Sequence, residues 1–579
     1  MAAFSYSSTI FLLNPKPLFF KTSAPPIVRN RNRTNGFASK ISCKLGKDDD
    51  SHSRTTSNIS IDENSLTLNR RNILVGLGSL CGATTTTLPS RADPIAIDVT
   101  SCVLKDDTGL LCCPPMPRNI VDFKPTDNQM LRLRPAAHLV DNKYIDKYSK
   151  AIQLMKNLPD DDPRSFTQQA NVHCAYCDEG NYHQLGFPKF DFLVHESWLF
   201  FPFHRCYLYL FEKILGKLID DPSFALPFWN WDNPDGMYIP SMYTNLMSSS
   251  LYDPLRNENH LPPNLTDLSY DGVDNNELTQ NELIASNLVT MYRQMVSNAK
   301  NPPLFFGKSY RAGDEEPRGA GTIEISPHNT VHRWTGDPTQ PNGEDMGAFY
   351  SAARDPIFFA HHANIDRLWT IWKTLGGKRK DIQDPDWLNV SFLFYDENAQ
   401  PIRIRVRDCL DPKKLGYVYQ DVDTPWLNYK PTPSKIKPGK KTQDSTFSFP
   451  RRLDDTTIRT RVARPQRSRS KKQKEDEEEV LTIDLELLRM DTYIKFDVYI
   501  NEEDDYPRSI SRMNTEYAGC FVSLPNRKTS NKKTSFTVSL TDLIDDQGVD
   551  DDDSIEVSVV PISGSDALVI TGMNIEFIS

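Results

Sequence analysis

Two histidines stand four residues apart in the segment 327–334, at positions His328 and His332. On a helix, side chains at this spacing share one face, with Cβ atoms roughly 5–6 Å apart, so both imidazoles can reach one metal ion. Further along the chain, His361 and His362 offer a third ligand. Histidines also fall at this spacing by chance, so the pair indicates a metal site only in company with others.

A second group of histidines lies upstream, at His173, His195 and His204. The chain contains 11 histidines, and the two groups account for most of them. The rest are scattered without a supporting pattern, at His52, His138, His183 and His260. Two groups of three imidazoles from separate helical segments predict a paired metal site inside a helix bundle.

A site built from histidines alone suits zinc, copper, iron or nickel. Dinuclear hydrolases normally use bridging carboxylates, so this ligand set disfavours hydrolysis. Three neutral imidazoles per metal leave one position open, and two such metals facing each other would accommodate a small bridging molecule. The residue types alone leave the choice of metal open.

Apolar residues recur at helical spacing and predict helices at 140–158, 165–176, 198–219, 282–298, 328–335 and 358–375. Pro202 fits the first turn of the third helix, where its missing N–H costs nothing. His195 precedes His204 by nine residues, which a straight helix would place on opposite faces. His195 must therefore enter from a bend, and something has to hold it there.

Asp366 follows His362 by one helical turn. We expect its carboxylate to accept a hydrogen bond from a ligand imidazole and fix the ring; an ordinary surface contact is the alternative. The aromatic turn 228–232 (FWNWD) is expected to serve packing rather than chemistry.

The composition is that of a globular protein with two to four domains, since 25% of its 579 residues are charged and 10% are aromatic. The net charge of −10 argues against nucleic acid as a partner. No apolar run is long enough for a transmembrane helix.

The amino terminus has the composition of targeting signals. Residues 1–47 are basic and lack acidic residues, which predicts a chloroplast transit peptide. Residues 48–92 contain Arg70 and Arg71 before a short apolar core, which predicts a twin-arginine transfer signal to the thylakoid lumen. A disordered basic tail is the alternative.

Five of the 10 cysteines surround the first histidine group. They are Cys102, Cys112, Cys113, Cys174 and Cys177. Adjacent cysteines do not pair easily with each other, so Cys112 and Cys113 are expected to bond to different partners in a compartment that permits disulfides. Single buried thiols are expected at Cys206, Cys409 and Cys520.

We expect a mainly α catalytic domain at 93–430, with a central helix bundle holding the metal site. Residues 431–478 are rich in Pro, Lys, Arg and Ser, which predicts a solvated, protease-sensitive linker. Short alternating apolar runs after it predict a C-terminal all-β, sandwich-like domain at 479–579.

Four motifs together resemble the plant polyphenol oxidases, the tyrosinase and catechol oxidase family with a type-3 copper pair. They are 173–177 (HCAYC), 200–205 (FFPFHR), 328–334 (HNTVHRW) and 361–367 (HHANIDR). The resemblance continues through 386–388 (DWL), 415–421 (LGYVYQD) and 495–498 (KFDV), and so covers nearly the whole chain.

The resemblance implies two copper ions as cofactors and a specific set of bonds. Copper A would be held by His173, His195 and His204, and copper B by His328, His332 and His362, the second histidine of its pair. A thioether between Cys177 and His195 would restrain that histidine. Disulfides would join Cys102 to Cys113 and Cys112 to Cys174.

The implied reaction is oxidation of o-diphenols to o-quinones with reduction of O2 to water, in some members with hydroxylation of monophenols. The implied partners are a small phenol, O2 and a protease that cuts within 431–478. The resemblance also implies that the domain at 479–579 shields the copper site and keeps the proenzyme latent until this cut removes it.

By the same resemblance, softer roles fall on four residues. Glu324 would hold a water near the site or take the phenolic proton, with a plain helix-start carboxylate as the alternative. Asn329 would be linked to monophenol hydroxylation, and Arg333 would contact the substrate or the pocket rim. Phe349 would form a gate over copper B, with a core position as the alternative.

Three other functions compete with this interpretation. A haemocyanin-like oxygen carrier uses the same copper pair but would form little quinone. A specialised phenol-hydroxylating or coupling enzyme would differ in its substrates. A structural zinc protein would show no absorption change on adding peroxide.

Overall fold

The structure is a computed structural model that describes residues 94–102, 112–125, 130–178, 181–244, 249–274, 278–434, 448–502, 512–526 and 531–579. The predicted targeting segments 1–47 and 48–92 lie outside the described residues. We call residues 94–434 the helical domain and residues 448–579 the β domain.

The helices, in chain order, are α1 (Asn142–Lys156), α2 (Phe166–Cys177), α3 (Phe200–Leu218), α4 (Ser241–Thr244), α5 (Gln280–Tyr292), α6 (Pro302–Phe306), α7 (Asn329–Thr335), α8 (Ile357–Thr374), α9 (Pro385–Asn389), α10 (Lys471–Asp476) and α11 (Thr541–Gln547). All six predicted helices are present, with ends shifted by a few residues. Asp141 and Ser165 start α1 and α2, because each side chain accepts a hydrogen bond from a backbone N–H of the first turn.

The central helices are buried on nearly all sides. Helix α3 exposes only a few residues near its C-terminal end, and α8 is buried along most of its length. A helix that is apolar on every face belongs in the middle of a bundle. A π-helical turn, Glu324–His328, precedes α7 and contains the extended residue Ser326, so the chain kinks just before the helix.

The strands of the helical domain are short: β1 (Ile97–Asp98), β2 (Val121–Asp122), β3 (Arg132–Arg134), β4 (His183–Gln184), β5 (Phe187–Asp191), β6 (Ser391–Tyr395), β7 (Pro401–Arg405) and β8 (Tyr417–Tyr419). Strand β3 pairs in parallel with β8, which brings together segments near the start and the end of this domain.

The β domain contains β9 (Arg451–Arg452), β10 (Ile458–Ala463), β11 (Glu478–Leu487), β12 (Ile494–Ile500), β13 (Tyr517–Ser523), β14 (Lys532–Ser539), β15 (Ser554–Ser563) and β16 (Leu568–Ile578). They form two four-stranded antiparallel sheets, ordered β10-β15-β12-β13 and β14-β11-β16-β9. Residues from both sheets share one apolar core. The predicted helical and β-sandwich architecture is confirmed.

The predicted linker 431–478 is too long at its C-terminal end. Strands β9 and β10 pair with β16 and β15 of the β domain. Ile458, Thr460 and Val462 point into the domain, while the arginines between them face outward. Strand β10 therefore alternates buried and outward-facing residues like an ordinary strand, although its composition is rich in arginine. Among the described residues, no helix is both long and apolar enough to span a membrane.

Candidate metal centre

Two buried clusters of metal-binding side chains lie in the helical domain. His173, Cys177, His195 and His204 form the first cluster, with their ring nitrogens and sulfur within 4.8 Å of one another. His328, His332, His361 and His362 form the second under the same limit. The structure therefore brings together all seven histidines of the two sequence groups.

The first cluster draws its ligands from two helices and a bend. His173 lies on α2, His204 on α3, and His195 in the turn before α3. The ring centroids of His173 and His204 are 5.6 Å apart, and those of His195 and His204 are 5.3 Å apart. Burial lowers the pKa of each of these imidazoles well below its ordinary value, so all three are neutral and able to bind a metal.

Hydrogen bonds orient the rings of the first cluster. Nδ1 of His204 donates to the Phe200 carbonyl over 2.8 Å, and Nδ1 of His195 donates to Glu324 Oε1 over 3.0 Å. The Nε2 atoms of His173, His195 and His204 are buried and make no hydrogen bond among the described residues. Buried polar atoms are rarely left unpaired, so three converging free nitrogens fit a metal ligand set.

The second cluster converges through Nε2 atoms. Nε2 of His362 lies 3.3 Å from Nε2 of His328 and 3.2 Å from Nε2 of His332. Nδ1 of His332 donates to the Met346 carbonyl over 2.7 Å, and Nδ1 of His328 donates to Asn329 Oδ1 over 2.9 Å. Acceptors at Nδ1 again leave Nε2 free for a metal.

The two clusters face each other. The rings of His204 and His362 stack with centroids 4.2 Å apart and planes inclined by 18°. The rings of His195 and His328 lie 5.7 Å apart. The site is therefore suited to two neighbouring metal ions rather than to two independent ones.

His195 is held in place from several sides, as its position before the helix requires. Its ring packs on Phe349, with centroids 4.4 Å apart. The next residue, Glu196, has a φ of 58°, and its backbone N–H donates to Glu324 Oε1 over 2.7 Å. Cys177 brings its sulfur into the same cluster, near the histidine to which the resemblance implies a thioether bond.

Asp366 does not accept a hydrogen bond from a ligand imidazole, so that expectation is wrong. Its Oδ1 lies 2.5 Å from Arg205 Nε, and its Oδ2 accepts from Tyr417 and Tyr419. Arg134 also reaches Oδ2, at 3.3 Å. The two arginines bind the carboxylate more strongly than a neutral imidazole could, and Asp366 instead ties the bundle together.

The four residues with softer roles all lie near the clusters. Glu324 is buried against His195, and Phe349 covers the same ring. Asn329 is buried next to His328, and its Nδ2 donates to the Val522 carbonyl of the β domain over 2.9 Å. The guanidinium of Arg333 lies 5.1 Å from the ring centroid of Tyr493, also in the β domain.

The β domain covers this side of the site. Phe349 belongs to an apolar cluster otherwise drawn from that domain: Tyr493, Tyr499, Tyr517, Cys520, Val522, Leu524 and Val560. Sequence reasoning missed these contacts because they join residues far apart in the chain. It also missed Trp231 as a partner of His361, although the aromatic turn 228–232 was visible.

The cysteines pair as the resemblance implied. The structure joins Cys102 to Cys113 and Cys112 to Cys174. Cys206, Cys409 and Cys520 are free and buried. The second disulfide attaches the irregular N-terminal segment directly to helix α2.

The fold and the site define a dinuclear, histidine-ligated metalloprotein whose helix bundle is covered by a β domain. Residues 163–375 match the common central domain of tyrosinase, 381–432 the polyphenol oxidase middle domain, and 449–577 the chloroplastic polyphenol oxidase C-terminal domain. The chain belongs to the polyphenol oxidase family of copper oxidoreductases.

Individual proteins agree with the family assignment. A chloroplastic polyphenol oxidase of Malus domestica is 53% identical over 94% of this chain and 93% of its own length. An aureusidin synthase of Antirrhinum majus is 52% identical over 83% and 89%, respectively. The structure of latent apple tyrosinase has a TM-score of 0.76 and 56% identity, covering 80% of this chain and all of that one.

Proposed function

We propose that this protein oxidises o-diphenols to o-quinones with O2 as the oxidant, and that its β domain keeps it latent. Two diphenols give up four electrons and four protons, which convert one O2 into two waters. Copper, when bound, supplies the electron transfer between phenol and O2. The convergence of buried ring nitrogens in two facing clusters carries the proposal. The Nε2 atoms of the first cluster are unpaired among the described residues, and Nε2 of His362 lies 3.3 and 3.2 Å from those of His328 and His332.

We propose six of these histidines as the copper ligands. His173, His195 and His204 would hold copper A, and His328, His332 and His362 would hold copper B. We further propose that Cys177 bonds covalently to His195, since its sulfur already lies in the ligand cluster. Elemental analysis of the folded protein tests the ligand set, and fewer than two coppers per chain would refute it.

Phe349 and Arg333 are placed to select the phenol. The Phe349 ring lies on His195, where it would pack against an aromatic substrate and limit its size. Arg333 rests on the Tyr493 ring of the β domain, so it faces the entrance only after that domain moves. A cation at this rim would favour phenols with an acidic side group.

Glu324 and Asn329 are placed to handle protons and water. Oε1 of Glu324 is occupied by His195 and the Glu196 N–H, which leaves Oε2 to hold a water or take the phenolic proton. Asn329 fixes the His328 ring through its Oδ1. Together they would support removal of a proton from a monophenol before its hydroxylation.

Latency follows from the seating of the β domain. Val522 and Pro525 accept hydrogen bonds from Asn329 and from the Phe349 backbone N–H, at 2.9 and 3.4 Å. We infer that these residues keep a phenol away from the second cluster. We propose that activation requires cleavage between the matched middle and C-terminal domains, at 433–448, inside the predicted linker 431–478.

Limited proteolysis of the full-length protein tests this proposal. Catechol oxidation should rise by about tenfold or more once the β domain is released, with the copper content per catalytic domain unchanged. Equal activity before and after cleavage would exclude a shielding role.

The relatives named as chloroplastic support the chloroplast as the site of action, in agreement with residues 1–47. We further propose that the twin-arginine signal in residues 48–92 directs the protein to the thylakoid lumen. Import of the precursor into isolated chloroplasts tests it. The mature protein should be protected inside thylakoids, and replacing Arg70 and Arg71 with lysines should leave an intermediate in the stroma.

The similarity to aureusidin synthase favours one second function, a specialised phenol-hydroxylating or coupling enzyme. Turnover of a panel of monophenols and catechols by the cleaved protein distinguishes this function from general catechol oxidation. Faster turnover of one elaborate phenol than of any simple catechol would favour the specialised enzyme.

A further inference from the structure

Trp231 and His361 form a buried hydrogen bond that involves none of the six proposed copper ligands. The indole Nε1–H of Trp231 donates to Nδ1 of His361 over 3.0 Å, and both side chains are fully buried. An indole N–H can only donate, so Nδ1 of His361 must be the acceptor. In a neutral imidazole the hydrogen then sits on Nε2.

His361 is the fourth histidine of the second cluster. Its ring stacks on that of His328 at 5.3 Å and meets that of His332 edge-on at 4.8 Å. A ring nitrogen of His361 lies within 4.8 Å of those of His328, His332 and His362. Distance alone therefore does not explain why His362, and not His361, should be the third ligand.

The hydrogen on Nε2 supplies the difference. A nitrogen that carries hydrogen has no lone pair to give a metal, so His361 cannot coordinate while Trp231 donates to its other nitrogen. Nδ1 of His362 has no hydrogen-bond partner among the described residues, and its Nε2 lies among those of His328 and His332. The hydrogen bond from Trp231 thus distinguishes the two neighbouring imidazoles: His362 can bind the metal, and His361 cannot.

We propose that Trp231 is a positioning residue that prevents His361 from coordinating copper B. Without the indole donor, Nδ1 of His361 would take the hydrogen and Nε2 would present a lone pair to copper B. A fourth imidazole would then fill the position that O2 and the phenol require. This inference rests on the proposed dicopper function and adds a reason for the choice of ligand.

The matched control is Trp229, in the same turn. Trp229 is equally buried, and its Nε1–H donates to the Tyr238 carbonyl over 2.8 Å, not to a histidine. Trp229→Phe and Trp231→Phe each remove one buried indole bond, but only Trp231→Phe frees Nδ1 of His361. Both variants are made in the full-length, copper-loaded protein.

Trp231→Phe should retain both coppers and show an additional histidine nitrogen at copper B by X-ray absorption spectroscopy or in a crystal structure. The near-ultraviolet absorption that hydrogen peroxide induces should fall by about tenfold, while Trp229→Phe keeps it. An unchanged copper environment and an unchanged absorption band in Trp231→Phe would overturn the proposal.

The double variant Trp231→Phe/His361→Phe separates coordination from packing. Removing the competing imidazole should restore the absorption band, and continued loss would show that Trp231 acts only through packing. If Trp231→Phe does not fold, His361→Phe alone decides. Two coppers and a normal band support the proposal, whereas loss of a copper makes His361 a ligand and refutes it. Failure of the proposed function would appear earlier, as missing copper in the unaltered protein.

Discussion

Arg205 and Asp366 form a buried ion pair between two helices that carry histidines of different clusters. Arg205 Nε lies 2.5 Å from Asp366 Oδ1. Arg205 directly follows His204 on α3, and Asp366 follows His362 by one turn on α8. The pair therefore fixes the distance between the helices on which the dinuclear geometry depends.

Replacing Asp366 with Asn should destabilise the fold strongly. The amide leaves Arg205 buried without a counter-charge, which costs about 3–5 kcal/mol when one partner of a buried pair is removed. The free energy of unfolding in urea at neutral pH measures this loss. Asp491→Asn, which breaks an exposed pair with Arg489, should cost less than about 1 kcal/mol. Equal losses in the two variants would contradict this prediction.

The carboxylate of Asp366 should also make the stability of the fold depend on pH. Burial raises the pKa of Asp366, but Arg205 and Arg134 lower it more, so it lies below the ordinary 3.8. A depressed pKa stabilises the fold above the unfolded value, and this contribution is lost as the pH falls through the folded value. The unfolding free energy of Asp366→Asn should therefore fall less steeply below about pH 4 than that of the unaltered protein. Parallel curves would exclude this role.

Local pattern was enough to predict the helices and to single out the histidines, because the spacing of residues reports which helix face they share. The partners of Asp366 could not be predicted in this way. Tyr417 and Arg134 reach it from opposite ends of the domain, so only the folded chain reveals that they outcompete the neighbouring His362. The expectation failed because it considered a single helix.

Long-range contacts also explain what was missed in the β domain. The alternation at Ile458–Ala463 is regular, but its outward arginines resemble those of a linker, and only pairing with β15 identifies a strand. The contact between Asn329 and Val522 joins separate domains, and no local spacing encodes it. The family resemblance implied that the β domain covers the site, but the residues that make this contact can be identified only from the structure.

Asp271→Asn should loosen the β domain without harming the catalytic domain. Asp271 pairs with Lys495 at 2.8 Å and Arg512 at 2.7 Å, both in the β domain. The side chain of Lys495 is fully buried, so loss of its partner is costly. The uncleaved variant should oxidise catechol several-fold faster than the uncleaved unaltered protein and be cut sooner by protease.

The cleaved proteins provide the control for Asp271→Asn. Once the β domain is gone, both versions lack Lys495 and Arg512, so their kcat and KM for catechol should agree. A difference that persists after cleavage would mean that Asp271 acts on the site itself rather than on docking.

Cys177→Ala should weaken copper A. The proposed thioether holds His195, which lies outside any helix, so the variant should bind copper A about 10–100-fold less tightly. Copper content after dialysis against a chelator measures this. Cys206→Ala removes another buried thiol, which lies outside both ligand clusters, and should retain copper. In the unaltered protein, peptides containing Cys177 and His195 should remain joined after reduction; their separation would rule out the bond.

Asn329→Ala should change which phenols are used. Of the four softer site residues, Asn329 is the only one whose side chain, within the described part of the chain, both accepts from a proposed copper ligand and donates to the β domain. Its loss frees Nδ1–H of His328, leaving only the Glu324 carbonyl at 3.2 Å as an acceptor. In the cleaved protein, monophenol hydroxylation should fall by about tenfold or more, and catechol oxidation by less.

Asn298→Ala is the matched control, because Nδ2 of Asn298 also donates to a β-domain carbonyl, that of Ala518, over 3.0 Å. Both variants lose one such bond, so the uncleaved forms should become similarly easier to activate. After cleavage, only Asn329→Ala should alter the ratio of monophenol to diphenol turnover, since no hydrogen bond among the described residues joins Asn298 to a proposed ligand. An unchanged ratio in cleaved Asn329→Ala would restrict Asn329 to docking and leave monophenol chemistry to other groups around the site.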